Sequence, residues 1–356
     1  MGKTAEQNKP APEQKQGNPL AADSIGSLLW KFSVPSIIAM LVSSLYNIVD
    51  QLFNGRSVGE LGNAATNISF PLSISCIAIA LMFGIGGASA FNISTGQGEQ
   101  NPEERRQAVF YLGNGAVLLF GCGLALWLIT QLFLEPMLTF FGSPDNVLGY
   151  AKTYTRIVSF GFPFLILTAG GGHLIRADGR PRFAMICNLT GAVINTFLDA
   201  LFVFIFQWGM AGAALATVIG QVVSGIMAVW LLAHCKSVTL TREHLILRLK
   251  YAKRITALGM APCINQLAMM VLQIVMNQSL KYYGLRSVYG ESIPLACVGI
   301  ITKINQVFMS FVIGISQGLQ PIVSFNYGAE RYGRVKEGYL NACGFGFAVS
   351  AAAFLL

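Results

Sequence analysis

Charge is scarce in this chain. Asp, Glu, Lys and Arg make up 11% of its 356 residues, against 54% hydrophobic. A soluble domain is about a quarter charged, so the scarcity excludes one and points to a polytopic membrane protein. No G-x-x-x-x-G-K-S/T run occurs, so the chain carries no phosphate-binding loop of its own and an ion gradient must drive any uphill transport. Histidine is scarcer still. His173, His234 and His244 all read as lying at or beyond span ends. A membrane-embedded hydrolase or transferase would need a His/Glu or Ser/His cluster at membrane depth, and none is legible. The seven cysteines form no C-x-x-C and sit mostly in apolar runs, as small filler rather than disulfides or metal ligands. Residues 1–26 hold Pro10, Pro12 and no apolar core, which excludes a signal peptide and reads as a disordered cytoplasmic tail.

What the chain does have is long apolar runs. Nine could cross a bilayer of about 30 Å: 29–53, 64–95, 108–134, 147–172, 183–206, 211–233, 255–283, 292–325 and 338–356. The fold class expected is therefore an all-α polytopic bundle. The net charge of +8 could indicate nucleic acid, but its distribution excludes that partner. Eighteen of the 24 basic residues fall in alternate connections, such as Arg105–Arg106, Arg176–Arg182 and Lys236–Arg254. This positive-inside bias places the N-terminus in the cytoplasm and the chain in the inner or plasma membrane. The most basic stretch, 234–254, alternates apolar and basic residues at helical spacing and reads as a cytoplasmic helix on the lipid surface.

The two halves resemble each other. VPSIIAMLVSSLYNIVDQL (34–52) aligns with APCINQLAMMVLQIVMNQS (261–279), and FGIGGASAFNISTGQG (83–98) with IGISQGLQPIVSFNYG (313–328). Ordered internal repeats are the sequence trace of transporters that rock two halves about a central site. The first lobe spans 27–233 with six crossings. The second, 255–356, holds three, which reads as an incomplete lobe of a longer protein.

Two acids, Asp50 and Asp199, lie inside apolar runs, where an unpaired charge costs several kcal/mol, roughly. Met40, Ser43, Asn47 and Asp50 fall on one helix face. Asn188, Asn195 and Asp199 share another face. Thr217 follows a run of small residues, Gly209, Gly212, Ala213, Ala216 and Gly220, that permits close helix approach. Lys303 is the only base read as buried within a span.

The opening FSVPSIIAMLVSSLYNIVDQLFNGRSVG (32–59), LIRADGRPRFAM (174–185), NTFLDALFVF (195–204), GMAGAALATVIGQ (209–221) and GISQGLQPIVSFNYGA (314–329) resemble the MATE (multidrug and toxin extrusion) family. The resemblance runs in order from residue 27. It is nearer the branch that keeps its coupling acids in the first lobe, since 255–283 holds no acid. It implies a two-lobe helical bundle and a monomeric antiporter, not an enzyme. Such a protein needs no cofactor beyond H⁺ or Na⁺ and exports small organic cations by alternating access among membrane lipids. It assigns Asp50, Asn195, Asp199 and Thr217 to one proton or Na⁺ site, and links Pro35 to bending of the first helix. It leaves Met40, Ser43, Asn47 and Asn188 to the substrate cavity, and Lys303 as a second-lobe charge. Gly170, Gly171 and Gly172 depart from the asparagine common in relatives there, and His173 beside them reads as interfacial. A lipid-linked-saccharide flippase of the same superfamily ranks lower, because it needs a cationic cavity. An inert truncated product is the third reading.

Overall fold

The computed structural model describes residues 19–355 apart from 59, 142, 144, 285 and 287–291. For 50–58, 60–64, 146, 273, 277, 280, 281, 284, 292–297, 299, 300 and 303 it describes the helix path and not the side chain. The described residues form helices and short connections, with no strand among them. In order these are α1 (Pro19–Ala22), α2 (Ile25–Val58), α3 (Glu60–Gln97), α4 (Pro102–Leu132), α5 (Leu134–Phe140), α6 (Asp145–Ser159), α7 (Phe162–Ala177), α8 (Pro181–Asp199), a π-helix (Ala200–Ile205), α9 (Gly209–Ala233), a 3₁₀ turn (Arg242–Leu245), α10 (Leu249–Gly284), α11 (Ser292–Gly328) and α12 (Tyr332–Leu355).

Among the described residues, eight helices are long and apolar enough to cross a membrane. The pair α6 and α7 passes the same test only when taken together and is bent by 54° at its junction, so the fourth expected span is not one continuous helix. Four prolines, Pro35, Pro71, Pro262 and Pro321, stand inside α2, α3, α10 and α11 without interrupting them. Neighbouring helices make this tolerable in apolar surroundings. At the start of α4 the side chain of Asn101 accepts from the Glu103 amide, with Pro102 and two glutamates in the first turn. That is a complete N-cap signature.

The first lobe packs α3 against α4 and α7, and α8 against α9. Its core joins Phe83, Phe91, Tyr111, Leu119, Phe162 and Leu174. Where α3 meets α7, a Cβ on Gly84 would lie 2.6 Å from the Gly170 Cα. Gly170 is itself confined, since a Cβ there would lie 2.3 Å from Leu119 Cδ2 and 2.8 Å from the Ala80 carbonyl oxygen, whereas Gly171 and Gly172 have room for one.

The repeat appears as swapped pairing. The first helix of the first half, α2, packs on α11, and its counterpart α10 packs on α3, while α3 and α11 also touch each other. Exchanging the two halves maps this set of contacts onto itself. The α2–α11 seam carries polar rungs: Ser33 Oγ donates to the Ile315 carbonyl at 3.5 Å and the Ser44 and Ser310 hydroxyls meet at 2.7 Å. The seam occupies the end of the bundle that bears the basic connections. Toward the other end, Leu267, Val271 and Ile274 of α10 and Ile301 and Ile304 of α11 are exposed.

Two expected segments differ. Residues 1–18 of the tail lie outside the described residues, but 19–26 are ordered. Leu20 and Ile25 are buried against Ile322 and Phe325, and Asn326 Nδ2 and Arg334 both donate to the Leu20 carbonyl. The linker 234–254 is not one helix. Only the 3₁₀ turn is helical before α10 begins at Leu249. The cause is Asn114 of α4, fully buried, whose amide donates to the His244 and Ile246 carbonyls and whose oxygen accepts from the Arg248 amide. These bonds replace the backbone ladder a helix would have supplied.

Candidate ion-coupling site

The site grows from α8 and its continuation. Pro181 starts α8 just after Gly179, whose φ of +81° turns the chain back from α7. Asn195 and Asp199 then fall one turn apart on the buried face, at 3% and 1% exposure. Immediately after Asp199 the helix widens to π geometry over Ala200–Ile205, with Phe206 N–H donating to the Leu201 carbonyl at 3.0 Å. Such widenings free and re-aim backbone groups and recur at functional sites.

Helix α9 brings the third member. Asn195 Nδ2 donates to Thr217 Oγ1 at 3.3 Å, and Thr217 Oγ1 donates to the Ala213 carbonyl at 3.0 Å. The approach is close because Gly220 faces α8: a Cβ there would lie 2.8 Å from the Gly191 carbonyl and 3.0 Å from Asn195 Cβ. Asn195 Oδ1 is buried with no hydrogen-bond partner among the described residues. A buried amide oxygen in that condition is a free ligand for a cation or a water. The structure therefore brings Asn195 and Thr217 together, with Asp199 one turn further along the buried face of α8. Asn188, two turns earlier on α8, is half-buried and extends the same stripe.

Helix α2 packs against α8, α9 and the π-helix, so the helix of Asp50 borders the site. The Asp50 side chain lies outside the described residues, as does that of Lys303 on α11. The stripe on α2 divides. Met40 meets the second lobe, where Gln317 Nε2 lies 3.6 Å from its sulfur and Ser310 Oγ 3.4 Å from its carbonyl. Ser43 is half-buried and Asn47 exposed. Pro35 is buried in an unbroken α2.

His173 is packed inside the protein rather than open at a mouth. It is 2% exposed in α7, and its Nδ1 lies 3.3 Å from Gln320 Oε1 of α11. Gln320 in turn donates to Ser89 Oγ at 3.1 Å and to the Ile85 carbonyl at 3.3 Å, so the three helices are tied at one point. One turn on, Arg176 is 3% exposed, and its Nε has no hydrogen-bond partner among the described residues. The expectation that Lys303 is the only buried base therefore fails at Arg176. The sequence shows Arg176 as one of three arginines in a basic connection, and only the packing of α7 buries it.

A second buried cluster stands outside the spans. Asp178 accepts from the Lys236 and Ser237 amides at 2.9 Å each and from the Ser237 hydroxyl, and it forms an ion pair with Arg180, whose Nε lies 2.6 Å from its Oδ2. Arg180 also donates to the Leu231 and His234 carbonyls. Burial pushes the adjacent Cys235 thiol up to about 12. The Asp178 carboxylate adds to the rise and Arg180 opposes it. No group of three or more His, Cys, Asp or Glu able to hold a metal occurs among the described residues.

With this geometry in hand, known proteins can be compared. A family profile described as MatE matches residues 35–201 and 261–356. The multidrug export protein MepA of Staphylococcus saprophyticus is 25% identical over 305 residues, 84% of this chain and 64% of that protein. MepA of Staphylococcus haemolyticus is 25% identical over 311 residues, 85% of this chain and 65% of that one. The chain thus spans just under two thirds of these relatives. Among solved structures, a MATE in the straight conformation has a TM-score of 0.85 at 22% identity, covering 95% of this chain and 73% of that one. An outward-facing multidrug resistance MATE transporter scores 0.84 at 22% identity over 95% and 72%. At that identity the likeness is one of fold.

Proposed function

Because the chain belongs to the MatE family, we propose that it works as a cation-coupled exporter. It would exchange H⁺ or Na⁺ for small organic cations across the cytoplasmic membrane; the relatives it matches are named multidrug export proteins. The observation that carries the reading is a carboxylate, an amide and a hydroxyl drawn from two helices. Asp199 is buried, Asn195 is bonded to Thr217, and α2 lies alongside. A hard cation takes oxygen ligands, and this set supplies a charge, a carbonyl-type oxygen and a hydroxyl. A proton on the carboxylate would serve the same exchange.

In the proposed cycle the basic end faces the cytoplasm, as the positive-inside bias has it. The closed seam of α2 with α11 and α3 with α10 then seals the cytoplasmic side, and the exposed flanks of α10 and α11 lie toward the outside. Organic cations would enter from the cytoplasm after the seam parts. They would meet Met40, Ser43, Asn47 and Asn188 along the path between the lobes and leave as an ion takes Asp199. Coupling follows if the carboxylate cannot hold both at once.

The test is efflux of a cationic dye from cells, measured against pH without Na⁺ and against Na⁺ at fixed pH. Asp199→Asn is expected to abolish efflux with normal membrane insertion. Asn195→Ala and Thr217→Ala each remove a neutral ligand and keep the charge. They should raise the ion concentration for half-maximal efflux with a smaller fall in maximal rate. Wild-type efflux by Asp199→Asn would sink the proposal.

A further inference from the structure

The connection between the lobes holds four large aliphatic side chains in an unusual setting. Leu245, Ile246, Leu247 and Leu249 are between 44% and 70% exposed, in irregular backbone rather than on a spanning helix, except that Leu249 opens α10. The backbone beneath them is fixed. Asn114 takes up the His244 and Ile246 carbonyls and the Arg248 amide, and a side chain on Gly113 would collide with the His244 carbonyl oxygen. The ring of His244 packs edge-on against Phe110 at 4.6 Å.

Depth decides what these side chains meet. The far end of α4 is Leu132, beside the Glu135–Lys152 ion pair that begins the opposite polar surface. A span of about 20 residues counted back from there reaches Gly113. Asn114 therefore stands at the rim of the hydrocarbon, and the strapped loop lies at that rim rather than out in water. This explains the strap, since irregular backbone at such depth is costly unless its polar groups are paired.

Cations surround the aliphatic patch. Arg242, Arg248, Lys250 and Lys253 are exposed around it. Arg248 pairs with Glu243 at 3.4 Å and lies over the Phe110 ring, and Lys250 reaches Gln107 at 3.2 Å. Arg242 and Lys253 enter no ion pair among the described residues. Aliphatic side chains at the acyl boundary beneath a ring of cations match an anionic phospholipid leaflet.

We propose that residues 242–250, strapped to Asn114, form a fixed wedge that seats in the interface of an anionic phospholipid leaflet and binds its headgroups. The proposal rests on the placement of this segment and is independent of what the protein transports.

The test uses the protein in vesicles of pure phosphatidylcholine or of phosphatidylcholine and phosphatidylglycerol in equal parts. An environment-sensitive fluorophore is attached to a cysteine at Ile246, with the seven native cysteines replaced. Lipids carrying a quencher near the headgroup end of the acyl chain should quench it several-fold more than a label at Asn101, and aqueous iodide should do the reverse. In the unlabelled protein, phosphatidylglycerol should raise Tm, and Arg242→Gln/Lys250→Gln/Lys253→Gln should lose most of that gain while matching the wild type in phosphatidylcholine. A label at Ile246 open to iodide and deaf to the lipid quencher would overturn the wedge. A triple variant that keeps the whole gain would overturn the anionic headgroup as its ligand.

Discussion

Arg176 brings a guanidinium to 3% exposure with its Nε unsatisfied, one turn from a histidine equally buried. A buried polar group left without a partner costs about 1–3 kcal/mol. The closed state carries that cost, and an opening that hydrates the guanidinium would relieve it. Arg176→Met keeps the length of the side chain and removes the charge. It should raise Tm in thermal unfolding by an amount equivalent to about 1–3 kcal/mol. It should also slow efflux, because the closed state deepens. A lowered Tm would show that the guanidinium has a partner in the closed state. Asp199 was legible in the sequence because a carboxylate in an apolar run has few other reasons to be there. His173 and Arg176 were not, since a basic residue near a span end looks the same whether it reaches water or turns inward. Only the packing of α3 and α11 over that face distinguishes the two.

Asp178 holds two connections in one clamp, tying the turn after α7 to the chain after α9 through two amides, a hydroxyl and Arg180. Breaking a buried pair by removing one partner costs about 3–5 kcal/mol. Asp178→Ala should therefore lower Tm markedly, and the chain at 234–248 should become open to protease. Cys235, a poor nucleophile while its thiol is held near 12, should become alkylated at neutral pH as the clamp loosens. An unchanged Tm and an inert Cys235 would mean that Arg180 alone holds the connections. Elements as such were the most legible layer: eight of the nine apolar runs match single helices long and apolar enough to cross a membrane, and the ninth, 147–172, matches the bent pair α6 and α7. The linker misled because apolar and basic residues alternate in it as they would on a surface helix. The competitor was a single distant side chain, Asn114, which no local pattern announces.

At the scale of the molecule, the two halves meet through exchanged partners, α2 with α11 and α3 with α10, and the described contacts between them gather at the basic end. The repeat made the two-lobe plan readable. Its register was not, because the seam is built of small and hydroxyl residues such as Ser44 and Ser310, which carry little signal in an apolar run. The account requires this seam to part in every cycle, and the two hydroxyls at 2.7 Å offer a direct way to forbid it. Replace the native cysteines, introduce Ser44→Cys and Ser310→Cys, oxidise, and follow dye efflux before and after reduction. The predicted result is cross-linked protein that is silent and regains efflux when the disulfide is reduced, with each single cysteine variant active throughout. Efflux at the full rate from fully cross-linked protein would contradict the account.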